Sequence, residues 1–116
     1  MDREEMSAMM TARGVERRAI AHYGPAHQLV KLQEELGELI QAIAKLQNAA
    51  DAEEAQARAE HVLEEAADVS IMLDQLKLIL PFGTSRMDAW KKSKISRLSE
   101  RLGKAEEAGP CNTTDS

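Results

Sequence analysis

The chain has 116 residues, a formal net charge of −5 and 3% aromatic residues. That length allows one domain with a modest core, burying roughly 65% of the surface its unfolded chain exposes. The acidic balance disfavours nucleic-acid binding, the single Cys111 excludes an internal disulfide framework and a Cys-based zinc site, and no stretch approaches the ~18 apolar residues of a membrane span.

With so few aromatic residues, the core must be built from Leu, Ile, Val, Ala and Met. The abundance of Ala, Leu, Glu, Gln and Lys favours helix over sheet, and an all-α protein is expected. The opening Met1-Asp2-Arg3-Glu4-Glu5 is charged and no apolar run follows it, which predicts no secretory signal and a cytoplasmic protein. In that setting the acceptor pattern Asn112-Thr113-Thr114 carries no meaning.

The first helix is predicted over about 3–22. Gly24-Pro25 ends it, and Pro25 suits the first position of a second helix over about 26–47. Asn48 to Asp51 is a weaker break, and Asp51-x-x-Glu54 looks like a capping box opening a third helix over about 52–80. Pro81-Phe82-Gly83 ends that helix. Ser85-x-x-Asp88 looks like a capping box for a fourth over about 86–103. Residues 1–103 then form a single helical domain, and 104–116 a frayed tail.

The second helix carries an apolar seam of Leu29, Leu32, Leu36, Leu39, Ile43 and Leu46, at heptad spacing. The third repeats the device with Val62, Ala66, Val69, Leu73, Leu76 and Leu80. Two such seams joined by a short link pack as an antiparallel pair. The third helix has a second apolar face, Leu63, Ala67, Ile71 and Leu78, so it must be buried on two sides. A homo-oligomer, a homodimer or homotetramer, would cover that face, and so could the first helix. Gly37 costs about 1 kcal/mol inside a helix relative to Ala, and with Ala44 it would make a smooth track for close helix approach.

Acidic residues border both seams. The second helix holds Glu34-Glu35-Leu36-Gly37-Glu38 and the third Glu64-Glu65-Ala66-Ala67-Asp68. Glu35 and Glu38 are three apart and project from one side, as do Glu65 and Asp68. At 100° per residue Glu65 falls inside the apolar stripe, with Asp68 and Glu35 on the stripe edges and Glu38 further round. An ionised carboxylate beside a core seam must be paired or must coordinate a metal. Four converging carboxylates repel one another unless cations are present. Hard divalent ions meet that need, and Mg²⁺ best, because it keeps waters and bridges carboxylates to substrate phosphates. A di-iron bundle would need Glu-x-x-His pairs. None of His22, His27 and His61 has a Glu three residues before it. His61 lies one turn before Glu65, as an outer neighbour of the cluster or as an ordinary solvated His.

The fourth helix carries the one basic cluster, Lys91 to Lys104, around an apolar stripe of Ile95, Leu98 and Leu102. Lys91 falls within that stripe, and Lys94 and Arg101 flank it. Cations leaning toward a metal-bound carboxylate layer would suit a polyphosphate. The same charges also suit the C-terminal end of a helix dipole.

Taken together, these residues resemble the MazG-like, all-α nucleoside triphosphate pyrophosphohydrolases, whose signature is EExxE followed on the next helix by ExxD. Here it reads Glu34-Glu35-x-x-Glu38 and Glu65-x-x-Asp68, with Tyr23-Gly24 and Gln28 ahead, Leu39-Ile40-Gln41-Ala42-Ile43 after the first half, and Lys94-x-x-Arg97-Leu98-x-x-Arg101-Leu102 near the end. The resemblance implies hydrolysis of a nucleoside triphosphate to the monophosphate and pyrophosphate, with Mg²⁺ as cofactor and Mn²⁺ as a substitute. It implies Glu35, Glu38, Glu65 and Asp68 as metal ligands, and Glu34 as the catalytic base or an outer-shell group. Lys91, Lys94 and Arg101 are the expected phosphate contacts. The chain departs from relatives that carry Lys and Asn together after ExxD, since no Asn precedes Asn112 in that segment. Base and sugar preference therefore do not follow. A phosphoribosyl-ATP pyrophosphohydrolase and a non-catalytic helical oligomer are the alternatives.

Overall fold

The computed structural model describes residues 1–110, and Cys111 and the Asn112-Thr113-Thr114 pattern lie outside them. The described residues form four helices and no strand: α1 (Arg3–Tyr23), α2 (Pro25–Gln47), α3 (Ala52–Ile79) and α4 (Gly83–Glu107). The chain divides into two compact units, Met1–Pro81 and a second that begins at Phe82.

Local chemistry fixes each helix start. At α1, Asp2 accepts from the Glu5 amide at 2.8 Å while Glu5 accepts from the Asp2 amide at 3.1 Å. This reciprocal capping box satisfies two of the donors that a helix start leaves free. Gly24 turns the chain at φ 91°, a conformation that costs glycine little, and Pro25 follows as the first residue of α2. At α3, Asp51 accepts from the Glu54 amide at 2.8 Å. Glu54 reaches the Ala50 amide at 3.2 Å rather than the Asp51 amide, so the expected box is half made. The Arg58 guanidinium donates to Glu54 at 2.7 Å and holds that carboxyl below its usual range.

The second unit corrects two boundaries. Ser85 does not cap a helix. Its hydroxyl donates to the Phe82 carbonyl at 3.1 Å, and α4 has already begun at Gly83 with Phe82 in the left-handed region at φ 56°. At the other end, Lys104-Ala105-Glu106-Glu107 are good helix formers. They carry α4 four residues past the predicted tail boundary, until Gly109 turns at φ 97°.

In the first unit α2 and α3 make the most extensive contact, and α1 packs on both. The pair is antiparallel: Gln28 near the start of α2 meets Gln75 near the end of α3. The buried side of α2 is Gln28, Leu32, Glu35 and Ala42. This stripe is rotated by one residue from the predicted seam, and Leu36 and Ile43 lie exposed at 40% and 39%. On α3 the buried residues are Glu65, Val69, Met72 and Gln75, so Val69 and Glu65 sit inside as expected. Leu80 is exposed. Leu63, Ala67 and Ile71 on the second face are exposed, and Leu78 is half-buried; α1 therefore leaves most of that face open. A Cβ at Gly37 would meet no atom within 4 Å, so the close approach expected there is not made within the chain.

Candidate metal centre

The rotation of α2 has a direct chemical consequence. It takes Glu35 from the edge of the apolar stripe into its middle, where the residue is 6% exposed. Glu65 projects from α3 into the same seam and is 8% exposed. Each has one carboxylate oxygen, Oε2, that is buried and has no hydrogen-bond partner. An unsatisfied buried oxygen costs several times what an ordinary hydrogen bond contributes, and more when the group is charged.

Glu38, one turn along α2 from Glu35, completes a group. One oxygen from each of Glu35, Glu38 and Glu65 lies within 4.8 Å of the others. Glu38 itself is exposed, which leaves an open side to the cluster. The donor set is three hard carboxylates and no sulfur, which fits Mg²⁺ or Mn²⁺ by donor type. The unpartnered oxygens of Glu35 and Glu65 are what an ion would satisfy.

Asp68, the fourth expected ligand, is exposed and does not belong to this close group. Glu34 is exposed on the neighbouring side of α2, with a 59% exposed side chain. A residue that sequence reasoning passed over joins them. The Lys31 ammonium stands 3.2 Å from Glu35 and 3.7 Å from Glu34. The hydrogen bond to Glu35, together with the charge of that carboxylate, holds Lys31 above its usual range. Lys31 satisfies Glu35 Oε1 and leaves Oε2 unpartnered. Its signal was the i, i+4 spacing to Glu35.

His61 and Glu64 are the other residues whose contribution sequence alone understated. With Glu65 they form a second group whose ligating atoms also lie within 4.8 Å of one another. The visible signal was the run His61-x-x-Glu64-Glu65, which puts all three on one side of a helix. Lys91, Lys94 and Arg101 are exposed on α4, in the second unit. Lys94 sits 6.0 Å from the Trp90 ring, a cation–π distance.

No helix among the described residues is long and apolar enough to cross a membrane. No family model, no curated protein and no solved structure matches the chain.

Proposed function

We propose that the chain is a Mg²⁺-dependent nucleoside triphosphate pyrophosphohydrolase of the MazG-like kind, acting in nucleotide-pool control or house-cleaning. The observation that carries this reading is the pair of buried carboxylates on facing helices, Glu35 and Glu65, each with an unpartnered oxygen. A purely structural helix pair gains nothing from such oxygens. The EExxE and ExxD motifs supply the rest of the argument.

In this reading Glu35, Glu38 and Glu65 hold the ion, with Asp68 completing the set of carboxylates. The ion, when bound, supplies charge neutralisation of the triphosphate and a more acidic bound water. Hydrolysis adds water across the α–β anhydride and releases the monophosphate, pyrophosphate and a proton. Glu34 is the residue proposed to take that proton. Lys31, within 3.7 Å of Glu34 and 3.2 Å of Glu35, offsets part of their mutual repulsion. Lys91, Lys94 and Arg101 are proposed to meet phosphate oxygens, since phosphoryl transfer asks a protein mainly for positioning and charge neutralisation.

Assembly as a homodimer or homotetramer is part of the same proposal. Leu36, Ile40 and Ile43 on α2 and Leu63 and Ile71 on α3 are all exposed. So many apolar groups on two helices are more than an isolated small domain usually leaves in water.

A panel of NTPs and dNTPs with pyrophosphate detection tests the activity and names the substrate. The phosphate role is tested by contrast. Lys94→Ala should lower kcat/KM by roughly 10- to 100-fold, the loss of one charge-assisted contact worth about 1.5–3 kcal/mol. Lys92→Ala, with the same change in net charge, should change little. Equal effects would reduce the role of α4 to a general basic field.

A further inference from the structure

Glu35 is the most enclosed member of the Glu35–Glu38–Glu65 group, and its two oxygens differ. Oε1 is met by the Lys31 ammonium at 3.2 Å, across one turn of α2. Oε2 is buried and has no partner. The Glu35 side chain is 8% exposed and that of Lys31 45%. The lysine therefore reaches in from the open side and ends on a carboxylate that water barely touches. An ion pair in such a place is screened less than one on an open surface. Lys31 also stands 3.7 Å from Glu34, and that second carboxylate keeps the ammonium on the same turn.

The consequence lies in how many oxygens Glu35 can give to an ion. The two oxygens of one carboxylate are only about 2.2 Å apart. Neighbouring corners of an octahedron with bonds of about 2.1 Å are about 3 Å apart. Mg²⁺ demands near-ideal octahedral geometry and so takes one oxygen from a carboxylate. Ca²⁺ binds about six to eight oxygens at longer, looser distances and readily takes both oxygens of one group. A Lys31 ammonium on Oε1 costs Mg²⁺ no ligand, since Oε2 suffices. It costs Ca²⁺ an oxygen, and it sets a positive charge where a two-oxygen grip would bring the ion.

We infer that Lys31 is a positioning residue that sets the metal centre for Mg²⁺ and against Ca²⁺, by holding Glu35 Oε1 and leaving that carboxylate a single free oxygen. This deepens the reading of Glu35, Glu38 and Glu65 as a metal centre and rests on it. The charge of Lys31 opposes every divalent ion alike. The ratio of two affinities removes that common effect and isolates the held oxygen.

The probes are Mg²⁺ and Ca²⁺, each titrated calorimetrically into the full chain without substrate. The quantity read is the ratio of the Ca²⁺ to the Mg²⁺ dissociation constant. Lys31→Met keeps the stem and frees Oε1. The ratio should fall at least about tenfold from wild type, the lower end of what an outer-shell partner contributes to metal affinity. Lys31→Ala, with the best helix former at that place, should show the same fall and serves if the methionine variant does not fold. Lys31→Arg keeps a charged donor on the oxygen and should stay close to wild type. Lys45→Met removes one charge from the exposed far end of α2 and should leave the ratio unmoved. An unchanged ratio in Lys31→Met and Lys31→Ala, or an equal fall in Lys45→Met, would overturn the role of Lys31 and leave the metal centre standing. If wild type binds neither ion, the metal centre itself is overturned, and the role of Lys31 with it.

Discussion

Two polar layers cross the same α2–α3 seam, and they differ in how they are satisfied. Near one end Gln28 donates to Gln75 at 2.7 Å, both buried, and Gln28 Oε1 also has the His27 ring nitrogen at 2.8 Å. Further along, Glu35 and Glu65 are buried to a similar depth and each keeps an unpartnered oxygen. The amide layer is complete in itself and fixes helix register. The carboxylate layer is incomplete in itself, and in the proposed reading a cation completes it. The same backbone geometry therefore holds a satisfied polar contact in one place and an unsatisfied one in the other.

The largest effect should come from the incomplete layer. Glu38→Gln and Glu65→Gln keep size and remove one charge each. Turnover of the best triphosphate substrate should fall by more than the roughly 10- to 100-fold seen when an outer-shell partner of a metal is removed. Near-normal pyrophosphate release from either variant would remove the metal role from this layer.

The complete layer should respond in stability and not through metal. Gln28→Ala leaves Gln75 buried without its main partner, at a cost of about 1–3 kcal/mol in denaturant unfolding. Replacing both residues by Leu should recover most of that loss, because no polar group is then left unpaired. A double variant as unstable as the single one would mean that the amide pair does more than satisfy itself.

Glu16 on α1 sharpens the distinction with a smaller effect. It is 7% exposed and also has an unpartnered Oε2, yet it belongs to neither close group of ligating atoms. Burial first, and the nearby Asp74 carboxylate second, raise its pKa above 4.5. A raised folded-state pKa contributes stability that is fully present below the unfolded value and lost as pH rises through the folded one. Glu16→Gln should therefore be more stable than wild type at neutral pH, with the advantage fading as pH falls toward 4.5. Melting curves across that range check it. An advantage that persists at the acid end would assign the gain to packing and not to charge.

Much of this architecture was legible in the chain, for identifiable reasons. Gly24-Pro25 and Asp51 are punctuation whose chemistry is local, so α1 to α3 fall where spacing put them to within a residue or so. Ser85 misled because its hydroxyl serves the preceding turn, a choice set by the left-handed Phe82 and not by sequence pattern. The α2 seam was misplaced by one residue because heptad counting rewards Leu36 and Ile43. It cannot know that Gln28 and Glu35 gain a partner, or face another carboxylate, on the inside. Glu65 violated the apolar pattern openly and was found. Lys31, His61 and Glu64 were less visible, since each sits at ordinary helical spacing where a solvated role is the simplest account.

The Glu35–Glu38–Glu65 layer is proposed to hold a divalent cation. Thermal melting of wild type and Glu65→Gln, each with and without Mg²⁺, addresses it without any assumption about substrate. Bound ion at 100 times its dissociation constant should stabilise wild type by about 2.7 kcal/mol. Without Mg²⁺ the variant should melt above wild type, because repulsion within the layer is relieved, and Mg²⁺ should leave it unmoved. Equal Mg²⁺ shifts in the two proteins, or none in wild type, would contradict the claim.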